Sequence, residues 1–174
     1  MFDVGTHNGT PWLATEFIDG PTIRQRLQQT GPVPPNEAVD IVIQLLSALE
    51  AAHGANIIHR DIKPENVMIR PDGIVKLVDF SLAKSLDLRT LTEPGVHGGE
   101  AAAPATTPDD TVFAGTVRYM SPEQASQQRV DARTDLWSLG ALLYELLANQ
   151  PLFAGADPLQ ILRELQELKL TSVA

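Results

Sequence analysis

Four polar residues in the 174-residue chain have the types and order that reaction chemistry needs. The run HRDIKPEN, residues 59–66, offers an acid at Asp61, a cation two positions on at Lys63, and an amide at Asn66. A second acid, Asp79, follows a short apolar run. An amide oxygen and a carboxylate are hard ligands of the kind magnesium takes, often shared with substrate phosphates. A carboxylate outside that metal pair can orient an attacking hydroxyl and accept its proton. A lysine beside it can neutralise charge on a group in transfer. Together these are the parts of a phosphoryl-transfer site, where positioning and charge neutralisation do most of the work. The plain alternative is a solvated polar loop.

Such groups work only if rigid elements hold them. Before the run, Val39, Val42, Ile43, Leu46, Leu49 and Ala52 recur at helical spacing and predict an apolar face on a helix over 36–53. Pro34 and Pro35 mark its start and Gly54 its end. After it, residues 66–70 and 74–78 read as a hairpin joined by Pro71-Asp72-Gly73. The loop is therefore gripped from both sides, a common setting for catalytic groups. Residues 12–18 read as a strand between turns at Asn8-Gly9 and Asp19-Gly20, paired with a shorter one near 2–4. Residues 93–110 lack any apolar period and predict a long loop, with order returning over 112–119. A helix over 134–147 is apolar nearly all round and should be buried, and an amphipathic helix is expected over 158–168.

Composition bounds the rest. The length suits one domain, and 43% apolar with 20% charged residues is ordinary for a soluble globular chain. A net charge of −9 argues against nucleic acid as a partner, since no basic excess exists to displace counterions. The chain has no cysteine, which excludes disulfides and thiolate metal sites and suits a reducing, cytoplasmic setting. No secretory signal precedes the first strand, and the apolar run 136–148 is well short of the roughly 20 residues that span a bilayer. His53, near a helix end, reads as a cap or dipole partner, while His7 and His97 fall in loops. Asp109-Asp110 reads as a solvated acidic turn.

Four motifs stand in one order: HRDIKPEN (59–66), DFS (79–81), GTVRYMSPEQ (115–124) and DLWSLG (135–140). In these the sequence resembles the protein kinases, specifically serine/threonine kinases of eukaryotic type as seen in bacteria. The resemblance implies an α+β, protein-kinase-like fold, with a mainly helical large lobe, a hinge and a β-hairpin remnant of the small lobe. Residues 1–20 would be that remnant and hinge, and 21–174 the large lobe, with its activation segment over 79–123. It implies transfer of the γ-phosphate of ATP to Ser/Thr hydroxyls of a protein substrate, with Mg2+ as the metal. Asp61 would be the catalytic base, Lys63 would contact the γ-phosphate, and Asn66 and Asp79 would hold magnesium. Glu16 and Ile18 would offer hinge backbone groups to adenine, Thr15 would be the gatekeeper, and Met68 would pack under the ring. Thr116 would line the substrate site, while His59 and Phe80 would be core residues. Asp135 would bind the catalytic-loop backbone from below. Arg60 would be a buried cation seeking a phosphorylated partner, with Thr106, Thr107 and Thr111 as unranked candidates. Glu65 would favour basic residues before the target hydroxyl.

Three departures qualify this. The 174 residues contain no glycine-rich phosphate loop, no VAIK-type lysine and no paired glutamate helix, and Lys76 lies on the wrong strand to substitute. Glu123 would pair with an arginine of a later helix, beyond Ala174. Ser81 stands where the family has glycine, changing the flexibility of that loop. The chain is accordingly expected to be truncated at both ends, to bind ATP weakly and to phosphorylate nothing alone. A membrane anchor in a longer protein stays open. The rival readings are a truncated kinase or pseudokinase serving as a regulatory module, and a helical scaffold unrelated to kinases. An in-frame GxGxxG and VAIK upstream of Met1 in the gene would favour the fragment, and their absence the regulatory module.

Overall fold

The computed structural model describes residues 3–8, 10–79 and 117–167. Their elements are β1 (Asp3–His7), β2 (Thr10–Ala14), α1 (Ile23–Thr30), α2 (Pro35–Gly54), a 3-10 turn (Pro64–Asn66), β3 (Val67–Ile69), β4 (Val75–Leu77), α3 (Pro122–Ala125), α4 (Arg133–Ala148) and α5 (Pro158–Gln166). The fold class is α+β, with two separate antiparallel hairpins and helices that supply the core. The expected loop over 93–110, Asp109-Asp110 and His97 lie outside the described residues.

The first hairpin turns at Asn8, whose φ of 49° is left-handed, and pairs Asp3 with Ala14 at its open end. The strand expected over 12–18 is thus displaced: it begins at Thr10 and stops at Ala14, and residues 15–19 leave the sheet. The segment instead runs onto β3, where Ile69 N donates to Pro21 O at 3.0 Å and Thr22 bridges Met68. Gly20 permits this approach, because a Cβ there would lie 2.0 Å from the Ile69 carbonyl oxygen. Gly20→Ala is therefore expected to cost more than about 2 kcal/mol, read as a lowered midpoint in urea unfolding. An unchanged midpoint would disprove the close packing.

Helix α1 starts in a capping box. Gln25 N donates to Thr22 Oγ1 at 3.2 Å, and Thr22 N donates back to Gln25 Oε1 at 2.8 Å. It buries Ile23 and Leu27 against α2 and α4 residues in the main core. Helix α2 appears where its apolar period predicts, but rotated. Its buried stripe is Ala38, Ile41, Leu45 and Leu49, whereas Val39, Ile43 and Leu46 are 51%, 55% and 42% exposed. The two stripes share Leu49, and Val42 of the expected one packs against the core, but Val39 and Leu46 lie one residue, about 100°, round the helix from Ala38 and Leu45. Both are rich in branched aliphatics, so composition alone does not choose; packing against α4 and the second hairpin does. Gln44 makes the latter contact specific, accepting from Val75 N at 3.0 Å and donating to Gly73 O at 3.2 Å.

Helix α4 is the central pillar. It buries Leu139, Ala141, Leu142 and Leu146, and also four polar residues, Thr134, Asp135, Ser138 and Glu145. It is not buried all round, since Leu136 and Leu147 are exposed. Each fully buried leucine contributes roughly 2 kcal/mol of transfer free energy, which offsets the cost of the buried polar groups only if those are paired. Helix α5, capped by Asp157, closes a second cluster in which Ile161 and Leu165 meet Phe153, Val117, Met120 and Ala125. It ends at Gln166, two residues before the expected limit.

Candidate active site

The loop 59–66 lies between the end of α2 and β3, and Asp135 at the start of α4 organises it. That carboxylate is fully buried. Its Oδ2 accepts from His59 N at 2.9 Å and its Oδ1 from Arg60 N at 2.8 Å. His53 Nε2 meets Oδ2 at 2.8 Å, so this last-turn histidine of α2 is a partner of Asp135 rather than a helix cap. Arg60 is held in a left-handed conformation, φ 67°, and its carbonyl accepts from Gln124 Nε2 at 2.9 Å.

His59 is a core residue, as expected. Its Nδ1 accepts from Asp61 N at 3.2 Å, which leaves Nε2 as the protonated nitrogen donating to Val78 O at 3.1 Å. One imidazole thus links the loop to the end of the second hairpin. Val78 N completes the link by donating to Asn66 O at 2.9 Å. Asn66 and Asp79 are thereby carried at the same open end of the hairpin, Asp79 exposed with φ 58°.

Asp61, Lys63 and Asn66 converge as the sequence predicts. Asp61 Oδ2 accepts from Lys63 Nζ at 2.9 Å and from Asn66 Nδ2 at 3.0 Å, and Asn66 Nδ2 also reaches Asp61 O at 2.8 Å. Among the described residues Asp61 Oδ1 and Asn66 Oδ1 accept no hydrogen bond. One oxygen of the acid and one of the amide are thus open while their partners are anchored. Met68 is half-buried on β3, beside the 20–22 segment. Residues 15–19 make no backbone–backbone hydrogen bonds among the described residues, so Glu16 and Ile18 keep their peptide groups open; the Glu16 carboxylate is taken by Lys76 at 3.1 Å.

One expectation changes. Arg60 is exposed, not buried, because the buried acid beside it spends its oxygens on backbone N–H groups and His53. Glu65 is engaged by Arg24 Nε at 2.7 Å. Thr116, Thr106, Thr107, Thr111, Phe80 and Ser81 lie outside the described residues. The stretch following Thr116 is firmly held: Ser138 Oγ donates to Tyr119 O at 2.7 Å, Ser121 and Thr134 hydroxyls meet at 2.5 Å, and Arg118 donates to the carbonyls of Phe153 and Gly155. Glu123, whose carboxylate makes no hydrogen bond or ion pair among the described residues but adds to the negative charge around Arg133, lines a polar cavity of about 390 Å³ with Arg129, Asp131, Arg133 and Trp137. Arg133's side chain and backbone N–H hold the Asp131 carboxyl down at about 2.

The chain matches the protein kinase domain over residues 1–172. It belongs to the protein kinase family. It is 38% identical over 161 residues to serine/threonine-protein kinase PknL of Mycobacterium tuberculosis, covering 92% of this chain and 36% of the relative. It is 38% identical over 165 residues to serine/threonine-protein kinase PknB of Mycolicibacterium smegmatis, covering 92% of this chain and 24% of the relative. A probable serine/threonine-protein kinase PknB of Lactococcus lactis is 37% identical over 166 residues, covering 95% of this chain and 24% of the relative. The chain thus spans between 24% and 36% of the length of these curated relatives. Among the described residues no helix is long and apolar enough to cross a membrane.

Sequence reasoning missed α1, α3 and the residues Arg24, Tyr119, Gln124 and Glu145. The helices had a local signal, the capping boxes Thr22–Gln25 and Ser121–Gln124. Arg24 and Glu145 had none, since they meet only across 121 positions of chain.

Proposed function

We propose that this kinase chain carries the phosphoryl-transfer and acceptor side of a serine/threonine kinase site, acting with ATP and Mg2+ on a protein hydroxyl. The carrying observation is the clamped Asp61, with Oδ2 held by Lys63 and Asn66 and Oδ1 open. The open oxygen orients the Ser/Thr hydroxyl and accepts its proton as the oxygen attacks. Lys63, within reach of the same spot, offsets charge on the transferring group. The open Asn66 amide oxygen and the Asp79 carboxylate suit a hard divalent cation, which when bound would neutralise phosphate charge. The open peptide groups of Glu16 and Ile18, with Met68 nearby, support adenine binding at the hinge. Residues 1–20 then act as small-lobe and hinge segment and 21–174 as large lobe, with Thr116 beside the acceptor and Thr106, Thr107 or Thr111 as modification sites answering to Arg60. The need for ATP favours the cytoplasm.

Residues 1–174 contain no glycine-rich loop or VAIK-type lysine, so alone they are expected to transfer no labelled phosphate from magnesium-ATP to casein. Joined in frame to the small lobe of a related kinase, they are expected to gain that activity. Transfer by 1–174 itself, abolished by Asp61→Asn, would overturn the first expectation. A folded but inert chimera would overturn the functional reading.

A further inference from the structure

Arg24, in the first turn of α1, spends its guanidinium on three acceptors from three distant segments. Its Nε donates to Glu65 Oε1 at 2.7 Å, its Nη1 to Glu145 Oε1 at 2.6 Å, and its Nη2 to the Tyr119 hydroxyl at 2.8 Å. Tyr119 in turn donates its hydroxyl proton to Glu145 Oε2. Glu65 directly precedes Asn66 in the 3-10 turn of the catalytic loop, Tyr119 lies three residues after Thr116, and Glu145 sits on the pillar helix α4.

We propose that Arg24 is a positioning residue that fastens the catalytic loop and the segment after Thr116 to α4 through one guanidinium. Glu145 is 3% exposed, and a buried carboxylate demands a cation and donors. Only a planar fork presents N–H groups in three directions at once; an ammonium at the end of a lysine cannot reach all three with the same geometry. Burial works against the charge on Arg24, but Tyr119, Glu65 and Glu145 outweigh it and hold the guanidinium more firmly protonated than a free one. Burial, and then the charge of Glu145, push the Tyr119 phenol upward, so it stays a donor. The arrangement leaves the two faces of the site, the base-bearing loop and the acceptor-side segment, with a common anchor. The term positioning rests on the kinase reading of residues 61–66; the mechanical link does not.

Amide exchange of the 174-residue chain tests the link without any phosphate transfer. In Arg24→Ala, amides of 59–67 and 117–121 are expected to exchange at least about tenfold faster, while those of α5 stay unchanged. Methylguanidinium at about 10 mM should restore protection in both segments, whereas methylammonium and Arg24→Lys should not. Acceleration spread evenly over the chain, acceleration confined to α1, or equal rescue by methylammonium would overturn the proposal. Should Arg24→Ala fail to fold, Tyr119→Phe removes only the phenol's bonds. It is expected to loosen 117–121 and leave 59–67 protected, and equal loosening of both would overturn the assignment of Arg24 as the hub. In the small-lobe chimera, Arg24→Ala should lower kcat about tenfold at unchanged KM for ATP, recovered by methylguanidinium. An inert parent chimera would count against the kinase reading and not against the link.

Discussion

Asp135→Ala is expected to destabilise the chain by about 3–5 kcal/mol in urea unfolding, more than any other exchange considered. The carboxylate is fully buried and receives His59 N, Arg60 N and His53 Nε2, all within 2.9 Å. Alanine leaves two backbone N–H groups without acceptors, each costing about 1–3 kcal/mol if no water reaches it. It also releases Arg60 from a left-handed conformation that an ordinary side chain adopts only under constraint. Asp135→Asn keeps one acceptor oxygen but turns an NH2 group toward a donor, and should cost about 2 kcal/mol. A loss below about 1 kcal/mol for the alanine variant would mean that the loop holds its shape without α4.

Asp61→Asn is expected to lower phosphate transfer by about 10²–10⁴-fold in the small-lobe chimera, with folding stability lowered by only about 1 kcal/mol. The two readouts separate because the asparagine oxygen can still accept from Lys63 and Asn66, while the variant has no carboxylate to take a proton. Labelled-phosphate transfer and thermal unfolding on the same preparation provide the comparison. Retained transfer would place the proton acceptor elsewhere. A parallel collapse of stability would assign Asp61 a structural role instead.

Much of the fold is legible as local pattern. The 71–73 turn, the prolines before α2, the apolar spacing of α2 and α4 and the polar run 59–66 each involve residues within a few positions of one another. Their physics is that of a single turn, strand or helix, so sequence suffices. The resemblance added roles for Asp135 and His59 that geometry then bears out: the first holds the loop backbone, and the second fills the core while bridging Asp61 and Val78.

Other features have no local signature. Which stripe of α2 faces inward depends on where α4 and the second hairpin lie, because Ala38-Ile41-Leu45-Leu49 and Val39-Ile43-Leu46 are equally apolar along the chain. The end of β2 at Ala14 depends on the pull of Gly20 and Pro21 onto β3. The exposure of Arg60 follows from how Asp135 divides its oxygens. Arg24 gains its partners across 41, 95 and 121 positions, a juxtaposition that no window on the sequence contains. By itself, then, the sequence determined the family, the run of polar residues suited to chemistry and the elements that carry it. The tertiary structure alone decided which faces pair and which charges meet, because those energies arise between segments that only folding brings within a few ångströms.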